Sequence, residues 1–300
     1  MKRTLLIIGV ILAIGCAGST EIWAVDGLAL LKNDPSARAA GMGAAVVSLA
    51  GDVSAVAYNP AGAVGLDKFT ASFGHAFFWQ RIRLESGYVG ARVASRLYAH
   101  SGVRFAVVDK MEARRYPTAE PYDLFDAHDV SFKGGLACQL TDKVSAGFAV
   151  GWFIEKIDAW RGAAFNVDLG LLVTPTDETS IGAAITNFGS DFKLEKRSLV
   201  GSRDISLPTT IRIGGSYRYQ DYLGALDAVI LDDKLHLHTG AEADLHPQLK
   251  LRAGYLFNYD VRNFTAGASF IRKNMTVDYA FVPFSGNLGS THMFNFTFTL

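Results

Sequence analysis

From Leu66 to Leu300 apolar and polar residues alternate in runs broken by Asp, Asn, Pro and Lys. A period of two puts successive side chains on opposite faces of an extended chain, so the pattern demands β-strands with one greasy and one polar face. Ala163, Phe165, Val167, Leu169, Leu171 and Val173 share one such face, and Asn166, Asp168, Gly170 and Thr174 the other. Leu249, Leu251, Ala253, Tyr255, Phe257 and Tyr259 likewise oppose Lys250, Arg252, Gly254, Asn258 and Asp260. Fourteen strands are predicted, near 66–79, 82–94, 97–112, 129–140, 142–157, 160–174, 178–189, 206–219, 222–232, 234–246, 248–260, 262–272, 274–284 and 290–300.

A soluble sandwich alternates in the same way, so the connections decide. Long ones, at 113–128 and 190–205, follow strands three and seven, whereas those at 141–142, 175–177, 220–221, 247 and 273 are short. Long loops on one side only, with an even strand number, point to an all-β transmembrane antiparallel barrel with short periplasmic turns. Hydrocarbon satisfies no strand edge, so the last strand must pair with the first. The apolar face then meets membrane lipid, and the polar face lines a lumen. Trp79, Trp160, Tyr219, Tyr222 and Tyr259, near strand ends, suit interfacial girdles. A turn centred on Pro247 sets Asp244 opposite Lys250 and Glu242 opposite Arg252 across the lumen face. Cys138 shares the lipid face with Val130, Phe132, Leu136 and Leu140.

The N-terminal part differs. Lys2 and Arg3 precede an apolar run, Leu5 to Ile14, too short to span a bilayer, so residues 1–24 read as a signal peptide cleaved after Ala24. A second reading makes Cys16 the lipidated residue of a loose lipobox. Residues 36–65 are dominated by Ala, Gly, Val and Ser, cannot build a core alone and must pack inside something else, so residues 25–65 read as a segment distinct from the barrel of residues 66–300.

Chemistry is sparse. With 29 basic and 29 acidic side chains, the chain lacks the charge of a nucleic-acid binder. Gly-x-Ser-x-Gly, His-Glu-x-x-His and the phosphate-binding Gly-rich loop are absent. Gly41-x-Gly43 follows no strand and lacks a third Gly in place, so no enzyme and no cofactor is expected. His236, His238, Glu242, Asp244 and His246 share one strand face, where the two imidazoles suit a metal. A wet lumen makes every residue of that face polar anyway, and this is the reading adopted. In Asn59-Pro60-Ala61-Gly62, Pro fixes one backbone angle and Gly62 permits conformations closed to other residues. The resulting rigid bend is either a gate element or a turn leading into strand one.

The run Ala37-Arg38-Ala39-Ala40-Gly41-Met42-Gly43-Ala44-Ala45, then Asp52 to Ala57, then Asn59-Pro60-Ala61-Gly62, resembles the N-terminal motif of the PorV/PorQ outer-membrane proteins, relatives of the FadL-type transporters of hydrophobic compounds. Asp168-Leu169-Gly170-Leu171, Asn187-Phe188-Gly189, Leu207-Pro208, Gly240-Ala241-Glu242, Leu251-Arg252-Ala253-Gly254-Tyr255 and Asp278-Tyr279-Ala280-Phe281 continue the likeness in the family's order. It implies a bacterial outer-membrane barrel of fourteen strands plugged by its N-terminal segment, with Arg38, Gly41, Met42, Gly43, Asp52 and Asn59 to Gly62 as the hatch or gate. For function it implies a part in type IX-like protein secretion, with secretion-machinery or secreted proteins as partners. The alternative is a FadL-like channel for hydrophobic small molecules.

Overall fold

A computed structural model of the 300-residue chain describes residues 28–66, 69–78, 82–196, 199–201 and 204–300. The signal-peptide and Cys16 readings and Trp79 lie outside these residues. Fourteen antiparallel strands form the wall: β1 (Thr70–Phe77), β2 (Ile82–Ala94), β3 (Leu97–Ala113), β4 (Asp123–Gln139), β5 (Val144–Ile157), β6 (Trp160–Val173), β7 (Thr179–Gly189), β8 (Thr210–Tyr219), β9 (Tyr222–Leu231), β10 (Lys234–His246), β11 (Leu249–Phe257), β12 (Phe264–Arg272), β13 (Met275–Pro283) and β14 (Ser290–Thr299). Each pairs with its sequence neighbour, and β1 also pairs with β14, with Thr70 opposite both Gly90 and Thr299. The sheet therefore closes and leaves no lipid-facing edge.

The alternation translates directly into sidedness. Phe73, Phe132, Trp152, Leu169, Ile213 and Phe296 point outward and are exposed, while their neighbours Ser72, Ser131, Phe153, Asp168 and Asn295 point inward and are buried. An outward belt of large apolar side chains around a closed sheet has hydrocarbon as its natural solvent, and the barrel spans a membrane. No helix among the described residues is long and apolar enough to cross one. Cys138, a free thiol, lies on the outward face with Phe132 and Leu136. Phe132 sits opposite Trp152 near mid-wall. Phe132→Arg is expected to destabilise the folded barrel by about 2–4 kcal/mol. Urea titration in lipid vesicles measures this, and an unchanged midpoint would mean that the face is not in hydrocarbon.

Three sequence expectations need correction. The 113–128 loop is shorter than expected: β4 already starts at Asp123, and β3 and β4 continue as a ribbon beyond the wall, with a bulge between Val108 and Met111 where the Lys110 N–H donates to Asp126 Oδ1 at 2.9 Å. Solvent on both faces of that ribbon removes the apolar–polar contrast by which a strand is read. The 190–205 segment holds two short paired strands, Glu195–Lys196 and Leu199–Val200, and a Phe192–Ile205 bridge. Tyr259 belongs to neither the greasy face nor a girdle. β11 ends at Phe257, Asn258 takes φ 66°, and this reversal turns Tyr259 inward onto His236, with ring centroids 4.0 Å apart.

Residues 28–66 run inside the wall as two short helices, α1 (Ala29–Lys32) and α2 (Ala37–Gly41), and two 3₁₀ turns, Val53–Ala57 and Pro60–Ala63. Ser36, Asp52 and Asn59 cap the last three, their side-chain oxygens accepting from Ala39, Ser54 and Ala61 N–H. Ala37, Ala40, Met42, Ala44, Ala45, Val47 and Val53 are fully buried. Small side chains suit a space already enclosed by strands.

Candidate functional site

The interior is layered. Toward the long loops the inward face carries an apolar cluster, which the period-two reading of a polar lumen missed. Leu84, Ala106, Phe153, Ala164, Val282 and Met293 of the wall cluster with Leu28, Leu30, Phe192 and Leu207, and the Phe153 and Phe192 rings lie 6.1 Å apart. Phe192 and Leu207 come from the 190–209 connection, so that loop supplies part of the lining.

Beneath lies a cavity of about 60 Å³ bounded by residues 31–35 and 56–58 and by Tyr88, His100, Arg104, Lys133, Asp168 and Arg212, among others. A water needs on the order of 10–15 Å³ of such space, so the cavity has room for a small polar group and falls well short of the hundreds of Å³ that would enclose a whole ligand. Lys133 Nζ is saturated by both Asp168 oxygens, at 2.7 and 2.6 Å, and by Asn187 Oδ1 at 2.7 Å. The bulge between Val167 and Leu169 lets Asp168 also accept the Asn187 N–H at 2.7 Å. Asp34 accepts from the Tyr58 hydroxyl and from Arg262 Nη1, each at 3.0 Å. Burial first, and Asp34 after it, push the Tyr58 phenol well above its ordinary pKa, so it remains a donor.

The third layer is the inner segment itself, fastened around the wall. Asp227 Oδ2 accepts the N–H groups of Val46 and Val47 at 2.8 and 2.9 Å, Thr265 accepts Gly43 N–H at 3.0 Å, and Asn295 Oδ1 accepts Ala37 N–H at 2.7 Å. Asn59, fully buried, donates Nδ2 to Val47 O at 2.7 Å and to Leu171 O on β6 at 3.1 Å. Asn59-Pro60-Ala61-Gly62 is thus a capped 3₁₀ turn pinned to the wall, with Pro60 as its first residue. Gly62 has no positive φ. It is glycine because a Cβ there would lie 2.9 Å from Leu49 O. Gly41 and Met42 press on the wall at Gly267 and Gly240, and Gly43, at φ 60°, on Gly254. At Gly182 and Gly254 a Cβ would fall 2.1 Å from Val47 O and Gly43 N, so bare wall backbone admits bare segment backbone.

Arg38 binds the segment to the charge cluster. The register sets Glu242 opposite Arg252 and Asp244 opposite Lys250. Glu242 Oε2 accepts from Arg252 Nε at 2.7 Å and from Arg38 Nε at 3.3 Å, and Arg38 Nη1 reaches Asp52 at 3.2 Å. Arg218, Lys250 and Asp278 complete the network. Burial opposes ionisation of Asp52, but Arg38 and the Ser54 hydroxyl and N–H overcome it and hold the carboxyl below its ordinary pKa. Sequence reasoning found the two cross-strand pairs but not Arg38's link to them, and it missed Arg104, Arg212 and Asp227. Their only signal was charge at inward positions.

His236 and His238 do not converge on a metal. His236 stacks on Tyr259, whose hydroxyl lies 2.9 Å from His238 Nε2. Among the described residues no group of three or more His, Cys, Asp or Glu is placed to hold an ion.

Closed wall, inner segment and apolar outer layer together define a FadL-like fold, that of bacterial outer-membrane transporters. The Ralstonia pickettii toluene transporter TbuX matches with a TM-score of 0.64 at 15% identity, covering 90% of this chain and 99% of that one. The Pseudomonas putida toluene transporter TodX gives 0.64 at 11% identity over 87% and 97%. A Pseudomonas aeruginosa FadL homologue gives 0.55 at 12% over 86% and 96%. No family model and no curated protein matches the chain. The likeness is to hydrocarbon channels. It gives no support to the narrower PorV/PorQ assignment or to secretion-machinery partners.

Proposed function

We propose that this chain is a FadL-type channel of the bacterial outer membrane for small hydrophobic compounds, with residues 28–66 as its hatch. The observation that carries the reading is the apolar layer at the long-loop end, built from Phe153, Phe192, Leu207, Leu28 and Leu30 inside a barrel whose deeper lumen is polar. An apolar solute leaving water gains by burial at that layer, whereas a general hydrophilic pore has no use for it. The neighbours' toluene transport agrees in solute class. The hatch role of Arg38, Asp52 and Asn59 to Gly62 rests on their fastening of the segment to the wall.

Secretion remains a second reading for one reason. The tip of the β3–β4 ribbon exposes Tyr116, Tyr122 and Leu124, a surface that a protein partner would cover. Toluene uptake by a deletion strain and by its complemented form separates the two. Uptake that falls several-fold on deletion and returns with the gene is the expected result. Unchanged uptake, together with loss of proteins from the medium, would overturn the channel reading in favour of export.

A further inference from the structure

The polar cavity beneath the apolar layer is out of place in a channel for pure hydrocarbon. Its acceptors are already taken: Asp168 by Lys133 and Asn187, Asp34 by Tyr58 and Arg262. Its donors are not. Arg104 and Arg212 form no ion pair among the described residues; Arg104 Nη2 reaches only the Asn33 carbonyl, at 2.6 Å. Arg212 Nε and Nη1 are buried without a hydrogen-bond partner, as are the Tyr88 hydroxyl and His100 Nε2, both side chains being more than nine-tenths buried. All four residues line the one cavity.

The site is also built. The Arg212 guanidinium lies over the Tyr58 ring, 5.1 Å from its centroid, which helps to hold it in place. Gly102 and Gly135 leave room for the Tyr88 and His100 rings, since a Cβ at either would come within 2.5 and 2.7 Å of them. Buried donors without acceptors are costly, and the cost vanishes when an anion accepts from them. Two planar guanidinium forks suit the two oxygens of a carboxylate, and Leu31, Val56 and Ala57 offer an apolar wall beside them.

We infer that this cavity binds the carboxylate headgroup of a small organic acid, so that the channel prefers short amphipathic acids to neutral hydrocarbons. The inference rests on the channel reading above and narrows its solute class. Arg104 and Arg212 take the headgroup, Tyr88 donates its hydroxyl, and His100 donates from Nε2 when that nitrogen carries the ring proton.

The test is calorimetric titration of the detergent-solubilised full chain with benzoate, benzamide, toluene and benzylamine. Benzoate should bind at least about tenfold more tightly than the other three, as expected for a charge-assisted contact. Arg104→Met and Arg212→Met, checked for the heat-modifiable folded form, should each weaken benzoate binding by a similar factor. Equal affinity for benzoate and benzamide overturns the inference without recourse to any variant. So does displacement of benzoate by equimolar inorganic phosphate, which would mark a general anion site. Toluene permeation into vesicles carrying the wild-type protein is measured in parallel. Permeation without a benzoate preference defeats this inference alone, and absence of both defeats the channel reading too.

Discussion

Glu242→Ala is expected to cost about 3–5 kcal/mol of barrel stability, because it leaves buried cations without their partner. Glu242 is buried and takes Arg252 at 2.7 Å, Arg38 at 3.3 Å, Lys250 at 3.5 Å and Arg218 at 3.6 Å. Without it, among the described residues, Arg252, also buried, retains only Asp278 as an ion-pair partner, and Arg38 retains only Asp52. Urea unfolding in lipid vesicles reads the loss. A change below about 1 kcal/mol, the scale of an exposed ion pair, would show that the network is solvated rather than enclosed. The variant should also loosen the inner segment, because Arg38 is its charged tie to β10.

The second large effect is on closure. Gly254→Val places a side chain where Gly43 N now sits 2.1 Å from the virtual Cβ, and backbone on both sides leaves nothing soft to yield. Inter-strand pairing of β11 with β10 and β12 does not involve that side chain, so the barrel should still form and remain heat-modifiable. The inner segment should fail to seat. Planar-bilayer conductance is then expected to rise at least about tenfold, as for a barrel with an unfilled lumen. New protease cleavage should appear within residues 28–66. Gly134→Val is the control, since its virtual Cβ meets nothing within 4 Å. A Gly254→Val protein as closed and as protease-resistant as the wild type would mean that the segment does not depend on this contact to stay in place.

How much of this was legible before any coordinates follows from where the information lies. Strand positions were read to within a few residues along most of the chain because each inward–outward alternation is a local property, and lipid against a polar lumen gives the strongest contrast a strand can carry. Where the environment is alike on both faces, as in the ribbon before Ala127, the reading lost the first residues of β4, from Asp123 to His128. Where one backbone reversal changes parity, as at Asn258, it placed Tyr259 on the wrong side. The pairing of Glu242 with Arg252 needed only a turn at Pro247, and so was accessible.

The layers of the interior were not. The apolar mouth joins Leu28 to Leu84, Phe153, Phe192 and Met293, residues drawn from across the chain that meet only after the sheet has closed. The cavity's unpaired donors come from β2, β3 and β8, and no sequence spacing relates Tyr88 to Arg212. Local alternation by itself determined that this chain forms two-faced strands, and with its one-sided long loops, that they close within a membrane. Which inward side chains meet, which acceptors are spent and which donors are left over was decided by the register of fourteen strands around a common centre. That register brings distant residues within contact range, and nothing in the order of the amino acids along the chain encodes it one residue at a time.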